Sequence, residues 1–183
     1  MDSLGQDRRS FLLGVGIFSF SQMLPQTAAL AQGAAAQVYV LSAMEGENLL
    51  HFRDHGKICI KAGSATGSNK LAFGTQQVTR ATGIPVHRHF EMDEAFYVLE
   101  GSGSVSLNDV THAFEKGASI FIPKNTWHGF NNPEHELILL WIVTPAGLDG
   151  FFRETCSPPD VPPKQFTRAQ LHQIALKYGT EFR

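Results

Sequence analysis

Between residues 38 and 145 the chain is cut into short β-like runs, with nothing of helical period between them. VYVL, NLLHF, KICIKA and LAFGTQQVT come first, separated by glycine, serine and asparagine, as in AGSATGSNK. Alternation continues in EAFYVLEGSGSVSLND, which reads as a hairpin turning at Gly101 to Gly103. A third stretch, THAFEKGASIFIPKNTWHGFNNPEHELILLWIVTP, holds several short strands punctuated by Gly117, Pro123 and Asn131-Asn132. Parallel sheets need helical crossovers, so strands this closely spaced exclude an α/β fold and predict an antiparallel sandwich or closed barrel.

The two ends differ from this middle. SPPDVPP at 157–163 reads as a stiff linker unable to pair inside a sheet. FTRAQLHQIALKYG follows, with Thr167 and Gln170 as a capping box, Leu171, Ile174, Ala175 and Tyr178 as an apolar stripe, and Gly179 as the stop. This predicts one amphipathic helix packed on the β-structure. At the other end, Arg8 and Arg9 precede an apolar stretch from Phe11 to Leu24, which is shorter than the roughly 18–20 residues that span a bilayer. Ala29-Leu30-Ala31 fits a cleavage site before Gln32, so residues 1–31 read as an export signal. RRSFL resembles the twin-arginine signal of bacteria, which implies a periplasmic mature protein and the twin-arginine machinery as partner of the precursor. The expected organisation is therefore 1–31 signal, 32–66 N-terminal strands and loops, 67–156 barrel, and 157–183 linker and helix.

Net charge is −2, and removing residues 1–31 takes away two acids and two arginines, leaving it unchanged. Neither a nucleic-acid-binding patch nor a polybasic membrane tail is present, and stable membrane insertion is not expected. The two cysteines, Cys59 and Cys156, permit a periplasmic disulfide or two separate thiols, and neither belongs to a Cys-x-x-Cys pair. GSGS at 101–104 and GSATGSNK at 63–70 lack the strand–loop–helix setting of a phosphate loop and read as turns. No G-x-S-x-G elbow occurs.

HRHFEMDE, residues 87–94, carries the chemistry. His87 and His89 point to one face of a strand. Strict alternation would turn Glu94 to the opposite face, so a bend or bulge between Phe90 and Asp93 is needed to bring it round. His128, in PKNTWHGFNN, must come from another strand. Three imidazoles and a carboxylate suit iron, manganese, nickel, copper or zinc. Burying them together without a cation would cost several kcal/mol in desolvation. His51, His55, His112, His135 and His172 lack partners at ligand spacing and are expected in surface or loop roles.

Here the sequence resembles the cupin family of small β-barrels. Its first motif, G-x5-H-x-H-x(3,4)-E-x6-G, is matched by His87, His89, Glu94 and Gly101, with Ala81 in place of the opening glycine and Gly83 two residues late. Its second, G-x5-P-x-G-x2-H-x3-N, is matched by Gly117, Pro123, His128 and Asn132, with Asn125 at the second glycine. Asparagine tolerates a left-handed backbone best among the other residues, so the turn shape should survive. The resemblance covers roughly residues 70–145. It implies an all-β fold, the cupin double-stranded β-helix or jelly-roll barrel, here with a short C-terminal α-helix. It also implies that His87, His89, Glu94 and His128 bind a divalent transition metal ion.

The resemblance to small single-barrel cupins of the quercetin 2,3-dioxygenase type implies a metal-dependent dioxygenase acting on a small, aromatic or flavonoid-like substrate, with Glu94 as catalytic base. TPAGLDGFFRE also resembles a segment of those proteins. Phe121, Trp127, Phe130 and Trp141 are candidates for an aromatic pocket, though barrel core is the expected place for most of them. Two other readings stand beside this one: a non-catalytic module binding metal or small ligand, and an oxygen-independent isomerase or decarboxylase. Pairing through the sheets makes a homodimer a further expectation.

Overall fold

The computed structural model describes residues 38–183. The export signal expected at 1–31 lies outside the described residues. Among the described residues the order is β1 (Glu47–Leu50), β2 (Lys57–Ala62), β3 (Ala72–Val78), β4 (Ile84–His89), β5 (Asp93–Glu100), β6 (Ser102–Leu107), β7 (Val110–Glu115), β8 (Ser119–Ile122), β9 (His128–Asn131), β10 (Leu137–Thr144), α1 (Leu148–Thr155), α2 (Arg168–Lys177) and β11 (Thr180–Phe182). The strands form a six-stranded sheet, β1-β2-β3-β10-β5-β8, and a five-stranded sheet, β11-β4-β9-β6-β7, with every pairing antiparallel. This is the antiparallel sandwich that the strand spacing predicts, in the jelly-roll form that the cupin resemblance implies.

Alternation places the core. Along β3 every second residue is buried, and on β10 Leu137, Leu139, Trp141 and Val143 are inaccessible to solvent. Val98, Ile122 and Val78 meet them from neighbouring strands, and Val105, Phe114 and Phe130 come from the opposing sheet. Each such side chain contributes about 1.5–3 kcal/mol of burial.

The residues at the glycine positions of the two motifs mark corners where the chain changes sheet. Ala81 (φ 63°) and Gly83 (φ 66°) lie between β3 and β4, Gly101 (φ 89°) between β5 and β6, Gly117 (φ 92°) between β7 and β8, and Asn125 (φ 61°) between β8 and β9. Asn125 keeps the left-handed turn as expected. Ala81 keeps it too, against a steric cost of about 1–2 kcal/mol.

Three expectations are corrected. Gly101 to Gly103 is not a hairpin turn, because β5 and β6 belong to different sheets. A Cβ at Gly101 would collide with the Glu136 carbonyl, so the glycine permits a corner. The hairpin joins β6 to β7 through Asn108 (φ 45°) and Asp109 (φ 72°), a two-residue turn with both central residues left-handed. VYVL at 38–41 is not a strand and is exposed. α1 was not anticipated: its eight residues are too short for a clear helical period, and its buried Leu148, Phe151 and Phe152 read equally well as a strand.

Helix α2 starts at the expected capping box, with the Gln170 amide donating to Thr167 Oγ1 at 3.2 Å, and buries Ala175. Phe152 of α1 meets Trp141 at a tilt (5.4 Å between ring centroids), and Phe151 meets Tyr178 edge-to-face (6.3 Å). Asp149 accepts bonds from Arg153 (2.6 Å) and from the Ser64 amide and hydroxyl (2.9 and 2.6 Å), fixing α1 to the turn after β2. Cys59 and Cys156 are separate buried thiols. Among the described residues no helix is long and apolar enough to cross a membrane.

Candidate metal centre

β4 ends on His87 and His89, and the chain then crosses to the other sheet before β5 brings in Glu94. That crossing at 90–92 supplies the parity change the sequence demands. His128 opens β9, which pairs with β4 so that His128 lies directly opposite His87. All four side chains are buried, and their ligand atoms lie within 4.8 Å of one another.

Each imidazole is held from behind. His87 Nδ1 lies 2.9 Å from the Pro85 carbonyl, His128 Nδ1 2.9 Å from the Thr126 carbonyl, and His89 Nδ1 2.9 Å from Thr180 Oγ1. A carbonyl can only accept, so Nδ1 carries the proton in His87 and His128, and the Nε2 lone pair is free to ligate. Those nitrogens converge on an acceptor. Glu94 Oε2 lies 3.1 Å from His128 Nε2 and 3.3 Å from His89 Nε2. His89 Nε2 is buried without any hydrogen-bond partner.

Lone pairs facing a carboxylate in a buried site repel unless a cation or protons lie between them. Protons are disfavoured on His87: burial holds its pKa well below the usual imidazole value, with His128 and His89 acting the same way. For Glu94, burial pushes the carboxyl up, but positive charge facing it at His89 and His128 pulls it further down, so the group is ionised whenever a cation or protons lie at those nitrogens. Neutral nitrogen donors, an ionised carboxylate and an orphaned Nε2 are what a divalent transition metal requires. The residues present fit the ion.

His87, His89, Glu94 and Thr180 also line a partly open cavity of about 200 Å³. Its apolar wall includes Phe52, Phe96, Phe151, Phe152 and Phe182, and its remaining polar lining includes His51, Arg53 and Gln76. The aromatic candidates from sequence lie elsewhere. Phe130 and Trp141 are core, Phe121 is exposed, and Trp127 lies beneath the Arg88 guanidinium (4.6 Å to the ring centroid). His51 lies in the loop after β1, one of the two places expected for it, but it is buried there, stacks on Phe52 at 4.5 Å, and lies 3.4 Å from Asp54. Sequence reasoning missed Arg53, the phenylalanines of α1, and Thr180. Only the apolar FF pair of α1 offered a signal.

Comparison with known proteins agrees with this geometry. Residues 75–145, from β3 to the end of β10, match the cupin domain model. A segment of 47 residues is 36% identical to an uncharacterized protein of Methanocaldococcus jannaschii, covering 26% of this chain and 38% of that protein. A segment of 69 residues is 32% identical to protein SchB of Streptomyces halstedii, covering 38% and 50%. The chain thus spans half or less of the length of these curated relatives. Among solved structures, an RmlC-like cupin from Shewanella frigidimarina superposes with a TM-score of 0.54 at 21% identity, over 62% of this chain and 96% of that one. The polyketide cyclase RemF from Streptomyces resistomycificus gives 0.52 at 20% identity, over 74% and 92%. At such identities the likeness is one of fold. Residues 75–145 are thus similar to the cupin domain, and the fold around them is an antiparallel β-sandwich of the cupin kind.

Proposed function

We propose that this chain is a metal-dependent enzyme of the dioxygenase type, acting on a small molecule held in the phenylalanine-lined cavity. The observation that carries this reading is that His87, His89 and Glu94 line that cavity directly. His87, His89, Glu94 and His128 would be the ligands of the metal. A bound divalent metal supplies Lewis acidity and, when redox-active, a path for electrons between substrate and oxygen.

The chain's own residues supply the rest. Pro85, Thr126 and Thr180 fix the three imidazole planes. The phenylalanines exclude water and hold an apolar substrate against the donors. Glu94, ionised and facing the cavity, is the proton acceptor for a substrate hydroxyl, at its carboxylate oxygens. A cavity of 150 Å³ accommodates benzene. The volume of about 200 Å³ therefore suits a single ring with short substituents better than a three-ring flavonoid.

The test is oxygen uptake by protein reconstituted in turn with iron, manganese, nickel, copper and zinc, against catechols, flavonols and single-ring acids. Uptake with a redox-active metal, abolished by Glu94→Gln, is expected. Turnover that persists without oxygen would replace this reading by an isomerase or decarboxylase. Tight metal binding without any turnover would replace it by a binding module. The Arg8-Arg9 segment supports export as part of the same proposal, and cell fractionation of an Arg8→Lys, Arg9→Lys precursor, expected to stay in the cytoplasm, tests it.

A further inference from the structure

Arg53 lies in the turn between β1 and β2 and lines the same cavity as the metal-ligand candidates. Its Nε and Nη2 atoms are shut off from solvent and have no hydrogen-bond partner among the described residues. The carboxylate next to it in sequence is occupied elsewhere. Asp54 accepts bonds from the Gly56 amide (3.2 Å) and the Thr79 amide (3.0 Å), and lies 3.4 Å from His51. Cys156 offers no negative charge either, because burial pushes its thiol up to about 11. Burial presses Arg53 below the usual guanidinium value, against the opposing pull of Asp54. A guanidinium does not lose its proton in proteins, so it remains a largely buried cation that feels Asp54 at a distance but has no anion bonded to its Nε or Nη2.

A charge in this position destabilises the fold unless a partner arrives. The fork of N–H donors fits one partner best, a carboxylate bound through both oxygens. The cavity sets the rest of the ligand: a volume of about 200 Å³ with phenylalanine walls takes an apolar body of ring size. We propose that Arg53 is the substrate-recognition residue, and that the ligand class is a small monocarboxylate with an apolar, ring-sized body. Its carboxylate pairs with the Arg53 guanidinium, leaving the remainder of the molecule beside His87, His89 and Glu94. The pairing itself needs no metal, whereas the orientation of the reactive end rests on the metal-enzyme reading above.

Titration calorimetry on the full chain tests this, metal-loaded and metal-stripped, with benzoate and phenylacetate as probes and benzamide as the uncharged match in shape. Charge-assisted pairing predicts that benzoate binds at least about tenfold tighter than benzamide in both states. Arg53→Gln should erase the difference while leaving benzamide affinity unchanged, and Arg53→Lys should restore part of it. Folding is not at risk in the Gln variant: removing an unpaired buried charge should leave the ligand-free unfolding midpoint equal or higher. Equal binding of benzoate and benzamide, a preference that survives Arg53→Gln, or no binding of either acid at millimolar concentration would overturn the inference. So would a preference that vanishes when metal is stripped, since the carboxylate would then sit on the metal. An intact Arg53-dependent preference without turnover would refute the enzymatic reading alone.

Discussion

Replacing Asn132 by alanine removes a buried amide that ties the β9–β10 connection to the β3–β4 corner. Asn132 Nδ2 faces the carbonyls of Val78 (3.2 Å), Thr79 (3.0 Å) and His135 (2.8 Å), and its Oδ1 accepts from the Gly83 amide at 2.8 Å. Two N–H protons are shared among three carbonyls, so the net count is two donated bonds and one accepted. At about 1 kcal/mol each, with a further penalty for the buried Gly83 amide left unpaired, the loss is about 3–4 kcal/mol. That is a large part of the 5–15 kcal/mol of a typical domain. Urea unfolding of metal-free protein measures it as a lower midpoint at unchanged slope. Asn132→Asp separates this account from simple loss of volume: it is nearly the same size but turns an oxygen toward three carbonyls, so it should cost more than alanine. The corners also space β4 and β9, which carry the three histidines, so zinc affinity should fall with stability. An alanine variant within 1 kcal/mol of the parent, or an aspartate variant no worse than alanine, would refute the reasoning.

Chelation should lower the unfolding midpoint. At free metal 100-fold above its dissociation constant the stabilisation lost is about 2.7 kcal/mol, and a His128→Ala protein should show no metal-dependent increment by thermal denaturation. Burial lowers the pKa of His51 despite the nearby Asp54, so below about pH 6.5 the unfolded chain takes up a proton that the folded chain refuses. Stability of metal-free protein should fall as pH drops through that point, by at most about 1.4 kcal/mol per pH unit from this group. Burial pushes Asp54 up, but the neighbouring His51 ring and the hydrogen bond from the Thr79 amide hold it at about 2, so its contribution disappears as pH falls from about 4 toward 2. Urea midpoints between pH 8 and 3 check both limbs, and a flat profile contradicts them. Cys59 and Cys156, buried and unpaired, should react with a thiol reagent only after unfolding, giving two thiols per chain without reductant. Ala81→Gly should stabilise by about 0.5–1 kcal/mol in urea, because relief of the left-handed strain exceeds the entropy cost of glycine.

The strand-rich class and the four clustered donors were legible because each has a local signature: period-two burial for the strands, and ligand spacing within the two motifs for the donors. Thr167 and Gln170 announced α2 for the same reason. What escaped depends on non-local partners. Nothing within EAFYVLEGSGSV distinguishes a hairpin from a corner, since the same glycine serves both, and only pairing with β10 and β9 decides. VYVL has strand propensity but pairs with no neighbour among the described residues. Thr180 and Arg53 matter through what lies opposite them, 91 residues away in the case of Thr180 and His89. The aromatic candidates that the sequence offers lie near His128, yet much of the lining comes from α1, which folds back from beyond β10.

β11 pairs with β4 along Thr180–His89 and Phe182–His87, so the backing of the centre is completed by the stretch farthest along the chain from its histidines. A nascent polypeptide that has emerged only through β10 already owns every donor, yet the imidazole of His89 would still swing without its tether. Ion capture in the final geometry is thereby deferred until synthesis has passed residue 182. A tag or truncation reaching into 180–182 would loosen the metal from a distance, while leaving each ligand side chain in place.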